Sequence, residues 1–245
     1  MEAAQKIRAA VTTVSLLRST VEADPSLLAA LARVKHVQSR RFAASYADLL
    51  AAGPYAAAAR FFLDELYSDK DYAERDAQFA RIAGAIERLF PAQVADTAVA
   101  LAELHALTEE LDQAMAVAWL AQGDDLTEAQ RYVRAWRKVG RRADRENQLT
   151  VVMGIGRKMA RFTRTPGLRM MLKMMRPAAV AAGLGSLQHF LENGFDTFAA
   201  MARDNGADGF LGTIEERESR LIAVLFDADL VACETELARA LGQAP

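Results

Sequence analysis

The sequence predicts an all-α protein, a single globular multi-helix bundle of roughly eight to ten helices over residues 1–245. Three observations support this fold class. Apolar residues recur at helical spacing, turn signals are sparse, and the one strand-like run, residues 149–152, has no second strand to pair with. No linker-like or low-complexity segment divides the chain, so we expect one domain.

Proline and capping residues predict where the helices of the first half begin and end. Asp24-Pro25 ends the first helix and starts the second, since proline suits the first turn of a helix. Gly53-Pro54 ends the second, and Asp71 with Glu74 three residues on resembles a capping box. The predicted helices cover residues 3–22, 25–53, 55–67, 71–90 and 91–120.

The second half contains stronger interruptions. Thr127 opens a helix over residues 127–163 with a kink at Gly140, and Thr165-Pro166-Gly167 ends it. A Met-rich helix over residues 168–176 precedes Pro177, and a further helix covers residues 177–203. After a loop at 205–209, Asp208 or Thr213 caps a helix that ends near residue 226. From about residue 229 the tail has helical propensity, and we expect it to fray.

Composition restricts the class of protein. Apolar residues make up 52% and charged residues 25%, as in ordinary globular proteins. The lone cysteine, Cys233, excludes an internal disulfide and fits a reducing compartment. The first residues lack an apolar signal-peptide core, and the longest uncharged stretch, residues 177–191, is too short to cross a bilayer. These features predict a cytoplasmic protein that is not integral to a membrane.

The distribution of charge is unusual. Between Arg131 and Arg176 there are fourteen basic and two acidic residues, a net charge of +12, while the rest of the chain has a net charge of −14. On a helical wheel the first seven cations share one arc, opposite the apolar Tyr132, Val133 and Trp136. We name these seven residues the basic stripe: Arg131, Arg134, Arg137, Lys138, Arg141, Arg142 and Arg145.

Like charges on one helical face repel each other, so the basic stripe needs a partner. The partner is either internal, in acidic segments such as residues 64–76 or 215–218, or external, an anionic small molecule or an acidic protein. A pI near 6.0 and the lack of a helix-turn-helix or zinc signature argue against nucleic acid. Our first hypothesis is therefore a non-enzymatic binding or regulatory protein that engages an anionic partner through this helix.

A second hypothesis is a helical pocket for an acyl or other apolar ligand. Flexible methionines suit adaptable apolar surfaces, although the Met-rich helix also fits core filling or peripheral membrane contact. The competing structural interpretation of residues 61–76 is a corner between two helices, fixed by an ion pair of Arg75 with Asp71 or Glu65. The candidate pocket residues are Phe61, Phe62, Tyr67, Asp71, Arg75, Asp76, Met171 and Met174.

A third hypothesis is a metal-dependent helical enzyme. His105 with Glu109, and His189 with Glu192, have spacings that place both side chains on one helical face. None of the three histidines follows an acid by three residues, so a ferritin-like di-iron site is not expected. No cofactor motif is complete, and the glycines of the run 153–158 are interpreted as sites of close helix packing.

Residues 61–71 resemble the pattern Phe-Phe-Leu-x-x-Leu-Tyr-Gly-x-x-Asp of an uncharacterised bacterial family of all-helical proteins, with Ser68 in place of the glycine. The stretches at residues 183–195 and 213–218 are similar to that family as well. The resemblance extends from about residue 61 to residue 226. It implies a shared helical fold and no particular activity.

Overall fold

The structure is a computed structural model that describes residues 2–65, 72–123, 125–203 and 206–243. Within these ranges the chain forms twelve α-helices and no β-strand, which confirms the predicted all-α class with more helices than expected. The helices are α1 (Glu2–Glu22), α2 (Pro25–Ser45), α3 (Ala47–Ala51), α4 (Ala56–Glu65), α5 (Ala73–Leu89), α6 (Ala92–Leu120), α7 (Glu128–Val139), α8 (Arg142–Phe162), α9 (Leu168–Ala181), α10 (Gly185–Arg203), α11 (Ala207–Asp227) and α12 (Leu230–Ala240).

Two of the predicted helices are each divided in the structure. The second breaks at Tyr46, which leaves helical geometry at φ −120° and ψ 21° and separates α2 from α3. The Tyr46 side chain is fully buried and donates a hydrogen bond to Glu218 Oε1 at 2.9 Å. This tertiary contact accompanies the break, and local sequence gives no sign of it.

The predicted helix over residues 127–163 is broken rather than kinked. Thr127 caps α7, as predicted, and it does so through a complete capping box with Gln130. Gly140 then adopts φ +67° and Arg141 φ +50°, so two consecutive residues leave the right-handed helical region. The helix is interrupted at these two residues, and α8 begins at Arg142.

Pro177 does not separate two helices as predicted. It lies inside α9, which continues to Ala181. Gly183 follows the end of the helix with φ +69°, and the backbone N–H groups of Gly183 and Leu184 donate to the carbonyls of Val180 and Ala179. This pair of hydrogen bonds is the Schellman motif that ends many helices at glycine.

Helix α6 lies at the centre of the fold and packs against α1, α2, α5, α7 and α8. Its buried residues are distributed around its circumference, as expected for a helix surrounded by neighbours. A first core cluster joins Met115 and Trp119 of α6 to Val34 of α2, Trp136 of α7 and Leu225 of α11. The basic side of α7 therefore lies opposite a well-packed apolar side.

Helix α8 approaches α11 closely at Gly156. A Cβ atom at this position would lie 2.6 Å from Leu211 Cδ2, so only glycine fits without movement of the leucine. The prediction of close helix packing is confirmed at Gly156, whereas Gly154 has open space. A second core cluster here contains Met153, Phe198 and Leu211.

The C-terminal tail forms a packed helix instead of fraying. Asp229 caps α12 by accepting a hydrogen bond from the Ala232 N–H at 3.0 Å. Cys233 and Leu237 are buried in the first core cluster, and α12 packs against α7 and α2. Burial raises the pKa of the Cys233 thiol. Among the described helices, none combines the length and apolar character needed to cross a bilayer.

Candidate functional site

The basic stripe is divided between two helices. Arg131, Arg134, Arg137 and Lys138 lie on α7, Arg142 and Arg145 lie on α8, and Arg141 lies in the break. On the opposite side of α7, Tyr132, Val133 and Trp136 are buried as predicted. The apolar support of the stripe therefore exists, but the cations do not follow one continuous helix.

Two stripe arginines pair with acids near the C-terminus. Arg134 Nε donates to Glu234 Oε1 at 2.8 Å, and Arg142 pairs with Asp227. Hydrogen bonding to these carboxylates raises the pKa of both arginines. The Arg142 guanidinium also lies 4.7 Å above the ring of Phe226. Acids of the chain itself thus neutralise this part of the stripe.

Arg141 is paired as well. Its Nε donates to Asp144 Oδ2 at 2.5 Å and its Nη2 to Glu110 Oε2 at 3.4 Å. Lys138 is the exception in the stripe, since its exposed side chain has neither a salt bridge nor a hydrogen bond to any residue in the described ranges. The acids that cover the stripe differ from the segments 64–76 and 215–218 suggested by the sequence.

The remaining stripe arginines bind carbonyl groups and aromatic rings. Arg137 donates to the Leu225 carbonyl at 2.9 Å and to the Ala228 carbonyl at 2.5 Å, so it satisfies carbonyls at the end of α11. Arg131 Nη2 donates to the Gly123 carbonyl at 2.8 Å. Arg145 is buried, with its guanidinium 4.2 Å above the Trp136 ring and a 3.2 Å hydrogen bond to Gln148. These side chains serve the fold.

A second group of cations follows the stripe in the chain. The segment 147–191 contains seven basic residues and no acid. They occupy the second half of α8, the turn after it, and α9. We name this group the α8–α9 basic surface; its members are Arg157, Lys158, Arg161, Arg164, Arg169, Lys173 and Arg176.

Three members of the α8–α9 basic surface have acidic partners. Arg157 pairs with Glu215 at 2.8 Å, Arg169 with Asp196 at 2.7 Å, and Arg176 with Glu192. The hydrogen bond from Arg176 lowers the pKa of Glu192 to about 2. The other four form no salt bridge within the part of the chain that the structure describes: Lys158, Arg161, Arg164 and Lys173.

Helix α9 presents apolar side chains to solvent beside these cations. None of its fourteen residues is buried, and within the described ranges it packs mainly against α10. Met170 is 65% exposed and Met174 74% exposed, with Val180 at 59%. At 100° per residue these side chains and Lys173 fall on the outer side of the helix. Met170 and Met174 therefore do not fill the core, which was one interpretation of this Met-rich helix.

The predicted pocket residues occupy different environments. Phe62 is buried in the second core cluster with its ring 5.2 Å from Phe210, whereas Phe61 stacks on Phe190 at 5.9 Å. Met171 is half-buried on α9 and Met174 is exposed. Tyr67 and Asp71 lie outside the described residues.

The ion pair predicted for the corner between helices is confirmed. Arg75 Nη1 donates to Glu65 Oε2 at 3.1 Å, and its guanidinium lies 4.4 Å above the ring of Phe190. Burial lowers the pKa of Arg75, opposed by the charges of nearby acids. Arg75 therefore joins α4, α5 and α10 and stabilises the corner.

The weak metal candidates are each engaged by different groups. Glu109 accepts a hydrogen bond from Lys35 at 2.8 Å, and His189 Nε2 lies 2.9 Å from Asn193 Nδ2. Glu192 is held by Arg176. Within the described ranges no three His, Cys, Asp or Glu side chains come together as a metal site requires.

Two residues predicted for different sites meet each other. His105 Nε2 lies 3.1 Å from Asp76 Oδ2, which also accepts a 3.1 Å hydrogen bond from Arg18. Burial raises the pKa of Asp76, but the hydrogen bonds and charges of His105 and Arg18 outweigh burial and leave it below its usual value. This cluster ties α1, α5 and α6 together.

A buried polar network around α6 and α11 was not predicted. Arg41 Nη1 donates to Glu218 Oε1 at 2.5 Å, and Gln38 Nε2 donates to Asp112 Oδ1 at 2.8 Å. Burial raises the pKa of Asp112, against the attraction of Lys35 and Arg145. Its members are spread over four helices, α2, α6, α8 and α11, so no local sequence pattern reveals it.

The α8–α9 basic surface could have been found in the sequence. Of the fourteen basic residues between Arg131 and Arg176, seven follow Arg145, whereas both acids, Asp144 and Glu146, lie near the stripe. The signal was therefore the absence of nearby acid after Glu146. The basic stripe was chosen instead because its cations share one arc of a helical wheel. In the α8–α9 basic surface the turn at Gly167 interrupts such regular spacing.

Comparison with known proteins identifies a family. Residues 17–231 match the model of one family, which is described as a domain of unknown function, DUF8198. Because the match covers most of the chain, the chain belongs to this family. The expectation of an uncharacterised family is confirmed at this level. Curated proteins and solved structures give no match.

Proposed function

We propose that this member of the DUF8198 family is a binding protein that engages an anionic partner through the α8–α9 basic surface. One observation carries the proposal. Seven basic residues follow one another along 45 residues without an acid, and four of them have no salt bridge within the described ranges. Cations that no nearby acid neutralises attract an anion.

The basic stripe is the weaker candidate for the same role. Six of its seven side chains already contact carboxylates, carbonyls or aromatic rings of the chain, and an external anion would have to compete with them. Among the described residues, the unpaired members of the α8–α9 basic surface have no such contact to give up. Arg161, Arg164 and Lys173 are exposed, so binding also requires little desolvation of buried charge.

The partner class follows from the donors available. Arginine presents a planar fork of N–H groups that matches phosphate, sulfate and carboxylate, whereas lysine acts as a compact point charge. Arg161 lies in the last turn of α8 and Arg164 follows it in the turn before α9, so both can approach one extended anionic surface. The strongly acidic remainder of the chain directs an approaching anion to this region.

The test uses immobilised heparin as a model polyanion. Replacement of Arg161, Arg164 and Lys173 by Gln is expected to weaken heparin binding about 100-fold, since each basic residue near an anionic surface contributes about 1 kcal/mol. The measurement is the sodium chloride concentration at which the folded protein elutes.

The matched control replaces Lys138, Arg220 and Arg239 by Gln. These cations are exposed and have no salt bridge in the described ranges, so the change in net charge is identical. We expect the control to elute close to the unmodified protein. If the two triple variants lose heparin affinity equally, net charge alone explains the binding, and the proposal is wrong.

A further inference from the structure

The outer side of α9 is an apolar surface bordered by cations. Met170, Met174 and Val180 are exposed there, and Pro177 and Ala181 fall on the same side of the helix. Lys173 lies among them, and Arg161 and Arg164 precede the helix by one short turn. An exposed apolar patch bordered by charge marks an interaction surface.

A second copy of the chain is a poor occupant for this surface. A symmetric contact through α9 would bring the same unpaired cations of two molecules together, and the acids beside α9, Asp196 and Glu192, already pair with Arg169 and Arg176. The patch also lies on the convex side of a single helix. A protein partner would therefore have to supply both the acids and a groove.

An anionic bilayer supplies negative charge and accommodates an apolar helix side without a groove of matching shape. Interfacial helices bury an apolar side at the boundary between headgroups and acyl chains while basic side chains remain at the phosphates. Unbranched methionines adapt to such a disordered environment. The basic border of α9 supplies the attraction to anionic headgroups that a short helix needs.

We infer that α9 lies in the surface of an anionic membrane, with Met170 and Met174 inserted below the headgroups and Lys173, Arg161 and Arg164 at the phosphates. This inference rests on the proposed function and specifies its partner. It assigns different roles to two sets of residues. The cations bring the protein to the surface, and the methionines discriminate a bilayer from any other polyanion.

The experiment is co-flotation with vesicles of phosphatidylcholine alone or mixed with phosphatidylserine. We expect the protein to float with the anionic vesicles and not with the neutral ones. Replacement of Met170 and Met174 by Gln should weaken vesicle binding about tenfold or more, because two apolar side chains no longer insert. Its elution from heparin should not change.

A matched control replaces Leu16 and Val231 by Gln. These residues are 65% and 68% exposed on α1 and α12, so the variant removes a similar amount of exposed apolar surface elsewhere. The control should float like the unmodified protein. Equal loss in both double variants would contradict insertion of α9.

A labelled variant provides a second measurement. The buried Cys233 reacts poorly, so a cysteine introduced by Met174→Cys can carry an environment-sensitive dye. Its emission should shift to the blue with anionic vesicles, whereas a dye at Val231→Cys should not respond.

The outcomes separate the two proposals. Retention on heparin without flotation would overturn the membrane inference and leave an anionic partner of another class, such as an acidic protein. Absence of both heparin retention and vesicle flotation would overturn the proposed function as well. Flotation that depends on Met170 and Met174, together with unchanged heparin elution, would support both.

Discussion

The basic stripe and the α8–α9 basic surface contain seven cations each, yet their surroundings differ. In the stripe the guanidinium groups hold helix ends, acids and aromatic rings in place, as Arg134, Arg137 and Arg145 show. In the second region four cations lack a salt bridge within the described ranges. The same residue types thus stabilise the fold in one place and remain available to a partner in the other.

The difference shows that regular spacing does not by itself identify a binding surface. The stripe has the clearer helical pattern, and that pattern arises because α7 packs one side on the core. What decides availability is whether an acid or carbonyl from elsewhere in the fold reaches the cation. The comparison can therefore be tested by changing cations and acids in matched pairs.

The largest contrast is expected between Arg145→Gln and Arg161→Gln. Arg145 is buried over Trp136 and attracts the buried Asp112, so its removal should lower the free energy of unfolding by about 2–3 kcal/mol. Arg161 is exposed, and its removal should change this free energy by less than about 0.5 kcal/mol. Urea denaturation measures both values. Similar losses would show that the two regions do not differ in structural role.

A smaller effect is expected when a stripe cation loses its acid. Glu234 is buried and accepts the hydrogen bond of the partly exposed Arg134, so Glu234→Gln should cost about 1 kcal/mol, a value limited by solvent screening. The freed Arg134 should also raise the salt concentration needed for elution from heparin. The control is Glu236→Gln on the exposed side of α12, which removes the same charge. If Glu236→Gln raises the salt concentration needed for elution equally, the ion pair with Glu234 does not determine whether Arg134 is available to a partner.

The smallest effect concerns acid pH. The pKa of Glu192 is lowered to about 2 by the hydrogen bond from Arg176, against an ordinary value of 4.5. A carboxyl group whose pKa is lower in the folded state stabilises the protein above the unfolded value, and this contribution is lost as the pH falls from about 4.5 to about 2. Carbon NMR of the carboxyl group should report this titration. Glu192→Gln should remove the part of the stability loss at acid pH that comes from this group. An ordinary pKa for Glu192 would contradict its pairing with Arg176.

Much of the fold follows from local signals. Asp24-Pro25, the capping box at Thr127 and the close packing at Gly156 each act within a few residues or through the size of one side chain. The all-α class follows from apolar spacing. Most of these features were predictable because neighbouring residues determine them; at Gly156 the sequence indicated close packing but not its partner, Leu211.

The remaining features depend on contacts between distant parts of the chain. Arg134 and Glu234 are 100 positions apart, and the break at Tyr46 accompanies a hydrogen bond to Glu218 that spans 172 positions. One sequence read along its length does not reveal such pairs. The candidate site was therefore placed on the regular stripe, although the more available cations follow it.

The exposure of α9 has an energetic consequence. Its side chains contribute little to the core, and Pro177 removes one backbone hydrogen bond, so this helix can unfold locally at a fraction of the cost of global unfolding. A partner that orders α9 must offset the conformational entropy lost by these residues. Association through this element should accordingly be rapidly reversible, while the interior retains its native packing through each cycle.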